Sequence, residues 1–129
     1  MPGLIPIKLT FCLCKRADWT AEDFYDYWLN SHGPLVRSFK KALGTWKYSQ
    51  LHRQPSEMGK ALATVRGAPQ AYDGIAEMWW RSRADFEAAS ASVAGREAGR
   101  ILLEDERRFI DLSRSPVWLN EVHDIVTGE

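Results

Sequence analysis

His32 is the residue of this chain best equipped for chemistry, and its surroundings are apolar. It sits in the run Tyr27-Trp28-Leu29-Asn30-Ser31-His32-Gly33-Pro34-Leu35. An ideal helix advances about 100° per residue. With Phe24 at zero, Leu35 falls near ~20°, Trp28 near ~40°, His32 near ~80°, Tyr25 near ~100°, Val36 near ~120° and Leu29 near ~140°. Asp23, Asp26 and Asn30 lie on the opposite side. The imidazole therefore points with the aromatics toward whatever the helix packs on. A titratable ring in such a place is either a satisfied core residue, bonded to a backbone carbonyl beside the Gly-Pro turn, or a general acid or base.

Asp105 is the matching oddity on a later helix. With Ile101 at zero, Leu112 lies near ~20°, Asp105 near ~40°, Phe109 near ~80° and Leu102 near ~100°. A carboxylate thus sits inside an apolar arc, with Glu104 and Glu106 beside it. Burying it unpaired costs several kcal/mol, so it should have a partner. Either it orients the His32 ring or it anchors the helix to a strand. Tyr25 shares the histidine's side and offers a hydroxyl to a substrate oxygen; its plainer role is that of a half-buried tyrosine. Trp28 and Trp79 read as pocket wall or core, and Tyr48 and Glu77 sit on strands that border the same space.

The other constellations argue against particular chemistries. His32, His52 and His123 are far apart and no pair has a short metal-ligand spacing, so no metal is expected. A site shared across subunits would require edge strands carrying His52 and His123 to meet; solvated edge histidines are the plainer reading. There is no G-x-G-x-x-G run, Walker loop or Ser-His-Asp signal, so no cofactor is expected. Cys12 and Cys14 sit two apart on one strand face, which does not suit a mutual disulfide. They read as reduced thiols.

At 129 residues, the chain is read as one domain, 1–129. Seventeen Lys and Arg offset seventeen Asp and Glu, leaving no net field to attract nucleic acid or an anionic membrane. No run approaches the ~20 apolar residues of a membrane span. The alternating Ile5–Cys14 ends in Lys15-Arg16 rather than at a leader cleavage site, so a cytoplasmic protein is expected. Six tryptophans are many for this length and suit pockets or interfaces.

The elements needed to hold these residues follow from periodicity. Ile5, Ile7, Leu9, Phe11 and Leu13 alternate with polar residues and cysteines as in a strand. Thr20 caps a helix, with Asp23 three residues on and Trp19 and Phe24 as a hydrophobic staple. Gly33-Pro34 should break or kink that helix; a short second helix then runs to Leu43. A strand over Thr45–Leu51 follows. Arg53 to Tyr72 is a long connection with a short helix at Met58–Val65. A second unit repeats the pattern: strand Asp73–Trp80, then a helix capped by Ser82 with Asp85 three later. That helix should end near Ala94-Gly95, with another from about Arg96 to Leu112 and a last strand over Val117–Val126. Strand–helix–strand twice over implies an α+β, ferredoxin-like βαββαβ fold: a four-stranded antiparallel sheet with helices on one face. The bare face, carrying apolar and aromatic residues, implies a homodimer with sheets packed together.

The run Glu22-Asp23-Phe24-Tyr25-Asp26-Tyr27-Trp28, followed by His32-Gly33-Pro34-Leu35, resembles the EthD family signature. Tyr72–Trp80 resembles the family's third strand. Asp105-Glu106 with Phe109, Asp111 and Ser115-Pro116-Val117 resembles its last helix and strand. The resemblance implies a dimeric α+β barrel of ferredoxin-like subunits with a cytoplasmic small-molecule role. Similar proteins are associated with ether degradation and with dehydration or decarboxylation of aromatic polyketides. The expectation is therefore a small cofactor-independent enzyme acting on a hydrophobic aromatic or polyketide-like molecule by proton transfer: dehydration, decarboxylation, isomerisation or cyclisation. His32 would be acid or base, Tyr25 would position an oxygen, and Asp105 would orient the ring. The alternatives are a binding or accessory protein, and a cofactor-free or haem-linked oxygenase.

Overall fold

Alternation at the start of the chain becomes a central strand in the computed structural model, which describes residues 5–128. Strand β1 (Ile7–Leu13) pairs antiparallel with β3 (Gly74–Trp80) on one side and β4 (Val117–Glu121) on the other; β2 (Lys47–His52) flanks β3. The resulting order β2-β3-β1-β4, with helices between strands, is the ferredoxin-like arrangement expected. Residues 1–4 and 129 of the expected domain lie outside the described residues.

The register sorts every strand residue to a face, because side chains alternate. Leu9, Phe11, Leu13, Tyr48, Ala76, Met78, Trp80 and Val117 border the space under the helices. Lys8, Thr10, Glu77, Trp79 and Trp118 share the other face, where Lys8 opposes Trp79 and Thr10 opposes both Glu77 and Trp118. No helix of the chain is long and apolar enough to cross a membrane, among the described residues.

Both anticipated helix caps form. Thr20 Oγ1 accepts from the Asp23 N–H at 3.1 Å, opening α1 (Ala21–Tyr27), and Ser82 Oγ accepts from the Asp85 N–H at 3.1 Å, opening α5 (Arg83–Ala91). Each bond satisfies one of the free donors of a first turn. The long connection carries α4 (Glu57–Thr64), capped by Ser56.

Several boundaries differ from expectation, among them the end of the last long helix at Phe109 rather than Leu112, and others have a local reason. The chain does not break at Gly33-Pro34. It widens into a π turn over Trp28–His32 and continues as α2 (Gly33–Ser38) and the short α3 (Lys40–Leu43). Pro34 has no N–H to donate and its ring would meet the Asn30 carbonyl in a regular turn; the wider turn lets the helix pass through the proline. The later break falls at Ser92 rather than Ala94-Gly95, so α6 spans Val93–Phe109. Ser92 Oγ caps the Gly95 N–H at 2.9 Å, and a Cβ at Gly95 would stand 1.9 Å from the Ala89 carbonyl oxygen. Glycine thus lets the two helices meet at the corner. Strand β2 starts at Lys47; just before it the Trp79 carbonyl accepts both the Trp46 N–H at 3.1 Å and the Thr45 hydroxyl at 2.6 Å. Strand β4 stops at Glu121, the residue opposite Ile7, where β1 begins.

The core lies between the sheet and α1, the π turn and α6. Leu13, Phe24, Trp28, Ala76, Phe109 and Ile110 form one cluster. Phe24 stacks at a tilt on Phe109 and Trp28, with centroids 5.6 and 5.7 Å apart. Gly74 makes this packing possible: a Cβ there would lie 2.5 Å from the Trp28 ring.

Candidate active site

The π turn and α6 deliver the two residues that sequence periodicity singled out. His32 is 4% exposed at the end of the π turn, its ring centroid 5.2 Å from that of Phe109. The Trp28 carbonyl at the start of the turn receives the Gly33 N–H and also Gln50 Nε2, at 2.7 Å, so β2 pins the turn to the sheet. From α6, Asp105 Oδ2 lies 2.7 Å from His32 Nδ1. The other oxygen, Oδ1, accepts from the Tyr27 hydroxyl at 2.5 Å, and Arg108 Nε stands 3.5 Å away from it.

This geometry fixes the ring's tautomer. A carboxylate only accepts, so the shared proton belongs to Nδ1 and Nε2 keeps its lone pair. Among the described residues Nε2 has no hydrogen-bond partner, and His32 lines a cavity under the helices. Burial pushes the imidazole pKa below the usual histidine value, outweighing the Asp105 bond and charge that raise it. The ring is therefore neutral at pH 7 and basic at the edge facing the cavity. Burial, reinforced by Asp105, pushes the Tyr27 hydroxyl up to about 12, which keeps it a donor.

The cavity is about 500 Å³ and lies between the sheet and the helices. Phe11, Trp28, Met78 and Leu102 give it an apolar wall; His32, Tyr48 and Glu106 bring titratable groups to it. Burial, with the Asp105 charge next and Arg107 opposing, pushes the Glu106 carboxyl up to about 7. It is thus poised between acid and base at neutral pH. The Tyr48 phenol, raised chiefly by burial, also feels the Glu106 charge, and its oxygen accepts from Gln50 Nε2 at 3.1 Å. A neutral imidazole and a half-ionised carboxyl on one largely apolar cavity can take and give protons.

The structure therefore brings together His32, Asp105, Trp28 and Tyr48, and sets apart Tyr25, Glu77 and Trp79. The Tyr25 hydroxyl donates to the Asp73 carbonyl at 2.6 Å, and its ring lies 5.2 Å from that of His52, away from the cavity lining. The ideal-helix angles of Tyr25 and His32 coincide, but the π turn between them adds a residue per turn and rotates them apart. Glu77 and Trp79 lie on the open sheet face. Glu77 pairs with Lys8 at 2.7 Å, and the Trp79 ring sits under the ammonium groups of Lys8 and Lys47, at 5.2 and 4.6 Å. Their even-numbered neighbours Ala76 and Met78 face the cavity instead.

Sequence reasoning missed Tyr27, Gln50 and Glu106. Glu106 falls near ~140° on the α6 wheel, one step beyond Leu102, so the apolar arc needed only slight widening to include it. Gln50 shares alternation parity with Tyr48. The histidines set aside from metal binding also differ from expectation in one case. His52 is stacked on Trp28, centroids 4.4 Å apart and planes 7° from parallel, with Nε2 2.8 Å from Gln50 Oε1. His123 is exposed, near Glu121. Among the described residues no three His, Cys, Asp or Glu side chains are grouped to hold a metal ion.

A ferredoxin-like subunit with a buried histidine–carboxylate pair on an apolar cavity is the frame into which the comparisons fall. The family model of the EthD domain matches residues 16–113, and the chain belongs to that family. No curated protein matches it. An EthD-like protein from Ralstonia eutropha JMP134 is similar in structure at 18% identity, with 98% of this chain and 99% of that one covered and a TM-score of 0.62. A dimeric ferredoxin-like protein from Thermobifida fusca YX, of unknown function, matches at 11% identity over 93% of each chain, TM-score 0.58. SnoaB, a cofactor-independent oxygenase from Streptomyces nogalater, matches at 12% identity over 97% of each chain, TM-score 0.51. At these identities the likeness is one of fold.

Proposed function

We propose that this EthD-family protein is a cofactor-independent enzyme that moves protons on a hydrophobic, aromatic or polyketide-like small molecule held between sheet and helices. The observation that carries the reading is the 2.7 Å bond from His32 Nδ1 to Asp105, on a ring that borders the cavity. In this role Nε2 of His32 takes a proton from the substrate. Asp105 steadies the imidazolium that forms, and the Tyr27 hydroxyl holds Asp105 in place. Glu106, in its protonated form, gives a proton to a departing or neighbouring oxygen. For a dehydration the two transfers together release water; for an isomerisation they move one proton along the substrate. Trp28 and Tyr48 supply the wall, and the space, about 500 Å³, falls within the usual range for small-molecule sites.

The chain works as a homodimer in this reading, a second copy covering the open sheet face, where Leu51 and Trp118 are 42% and 47% exposed. The dimeric T. fusca neighbour supports that assembly at the level of fold. Free Cys12 and Cys14 suit a cytoplasmic setting.

The test begins with native mass spectrometry of the purified protein to identify what it carries, followed by turnover of that compound and its analogues. His32→Ala should lower turnover by about 10²–10⁴-fold while binding persists. Full activity in a folded His32→Ala protein would remove the imidazole from the reaction. Binding with no turnover by wild type would make the protein a carrier. Oxygen uptake coupled to turnover would favour the oxygenase chemistry for which SnoaB is described.

A further inference from the structure

A second, outer pocket of about 480 Å³ adjoins the apolar cavity, and Val36 and Tyr48 are walls of both. It lies between α2–α3 and the start of β2, bordered by Arg37, Lys40, Thr45, Trp46 and Gln50 among others. No Asp or Glu lines it. Arg37 and Lys40 are exposed and pair with no carboxylate among the described residues. Lys47 also borders the pocket, but its ammonium lies over the Trp79 ring on the open face, so it is not counted. An adjoining surface hollow shares Arg37, Lys40 and Trp46 and adds Lys41, Arg81 and one acid, Asp85. The Arg81 guanidinium lies over the Trp46 ring, 5.1 Å from its centroid.

This concentration stands out in a chain of net charge zero. Arg37 and Lys41 lie in the last turns of α2 and α3, where a helix dipole favours cations. That accounts for their tolerance but not for Arg81 on the turn after β3, nor for the lack of acids in a pocket that opens beside an apolar cavity. Cations left without partners in a pocket beside it raise the local concentration of anions and orient them.

We infer that the ligand of this protein is an amphiphilic carboxylate: its apolar ring system fills the inner cavity and its carboxylate sits in the outer pocket against Arg37 and Lys40. The polarity of the two spaces sets the orientation. The inner cavity is walled mainly by apolar side chains, which leave a carboxylate without solvation, while the charged groups of the outer pocket are all positive. The reacting end of the molecule is therefore the apolar end, beside His32, and the carboxylate is a handle. The inference rests on the proposed cavity site and adds the charge and direction of what enters it.

The test is equilibrium binding of 2-naphthoate and 2-naphthamide, which differ only in the charged group, to wild type and to the Arg37→Gln/Lys40→Gln double variant. Circular dichroism checks that the variant is folded. Wild type should bind the naphthoate about 3- to 10-fold more tightly than the amide at low ionic strength, with the gap shrinking as salt is added. The double variant should lose that preference and keep its affinity for the amide. Arg66→Gln, on the far α4 connection, should behave as wild type. Equal affinity of wild type for both compounds, or a preference that survives in the double variant, overturns the carboxylate handle and leaves the cavity reading standing. Binding of neither compound overturns the cavity reading, and the handle with it.

Discussion

At the scale of single residues, two titratable groups with shifted values border one apolar space. His32 is held below its ordinary value and Glu106 is raised to about 7. The base form of His32 is present above its depressed pKa, and the acid form of Glu106 below about 7. Turnover should therefore trace a bell, and Glu106→Gln should remove its alkaline limb in a pH–rate profile. Stability carries the same signature with a definite sign. Between the unfolded carboxyl value, ~4.3, and about 7, the folded state retains a proton on Glu106 that the unfolded state has lost. Stability contributed by this group thus falls as pH rises through that window and levels off above it. His32, lowered by burial, contributes the opposite slope, so urea unfolding from pH 5 to pH 8 should show wild type losing stability relative to Glu106→Gln as pH rises. A profile unchanged by that substitution would mean that Glu106 titrates normally.

At the scale of elements, the site exists because a helix is allowed to widen. The π turn carries Trp28 to His32 between β2 and α6, and Gly74 on β3 leaves room for the Trp28 ring. Gly74→Ala puts a methyl 2.5 Å from that ring and 2.7 Å from the Leu51 carbonyl oxygen. It should cost about 1–3 kcal/mol in urea denaturation, and binding in the cavity should weaken with it. An unchanged midpoint would mean that the tryptophan shifts freely. The same turn explains what could be read in the chain and what could not. The caps at Thr20 and Ser82 were legible because a cap is a local bond between near neighbours. The strands and their order were legible from alternation and the repeated strand–helix unit. Asp105 announced itself by lying in an apolar arc. Tyr25 was misdirected because a regular-helix angle does not survive a π turn, and Glu77 and Trp79 because alternation reveals two faces without saying which one the helices cover. Glu106 sat at the margin of its arc, where burial is decided by the opposite wall.

At the scale of the whole molecule, the sheet separates two surfaces of different character. The covered face lines the cavity. The open face mixes the Lys8–Glu77 pair, Trp79 beneath two lysines, and exposed Leu51 and Trp118. If a second copy covers it, sedimentation should report a dimer, and Leu51→Asp with Trp118→Asp should shift it to monomer; a monomeric wild type would refute the assembly. The account as a whole stands on the state of one ring, and side-chain nitrogen NMR of histidine-labelled protein reads that state directly. At neutral pH His32 should show a proton on Nδ1 and a bare Nε2, and saturation with 2-naphthamide should move the Nε2 signal. A proton on Nε2, or an Nε2 signal indifferent to a ligand that binds, would contradict the assignment of His32 as the base of this cavity.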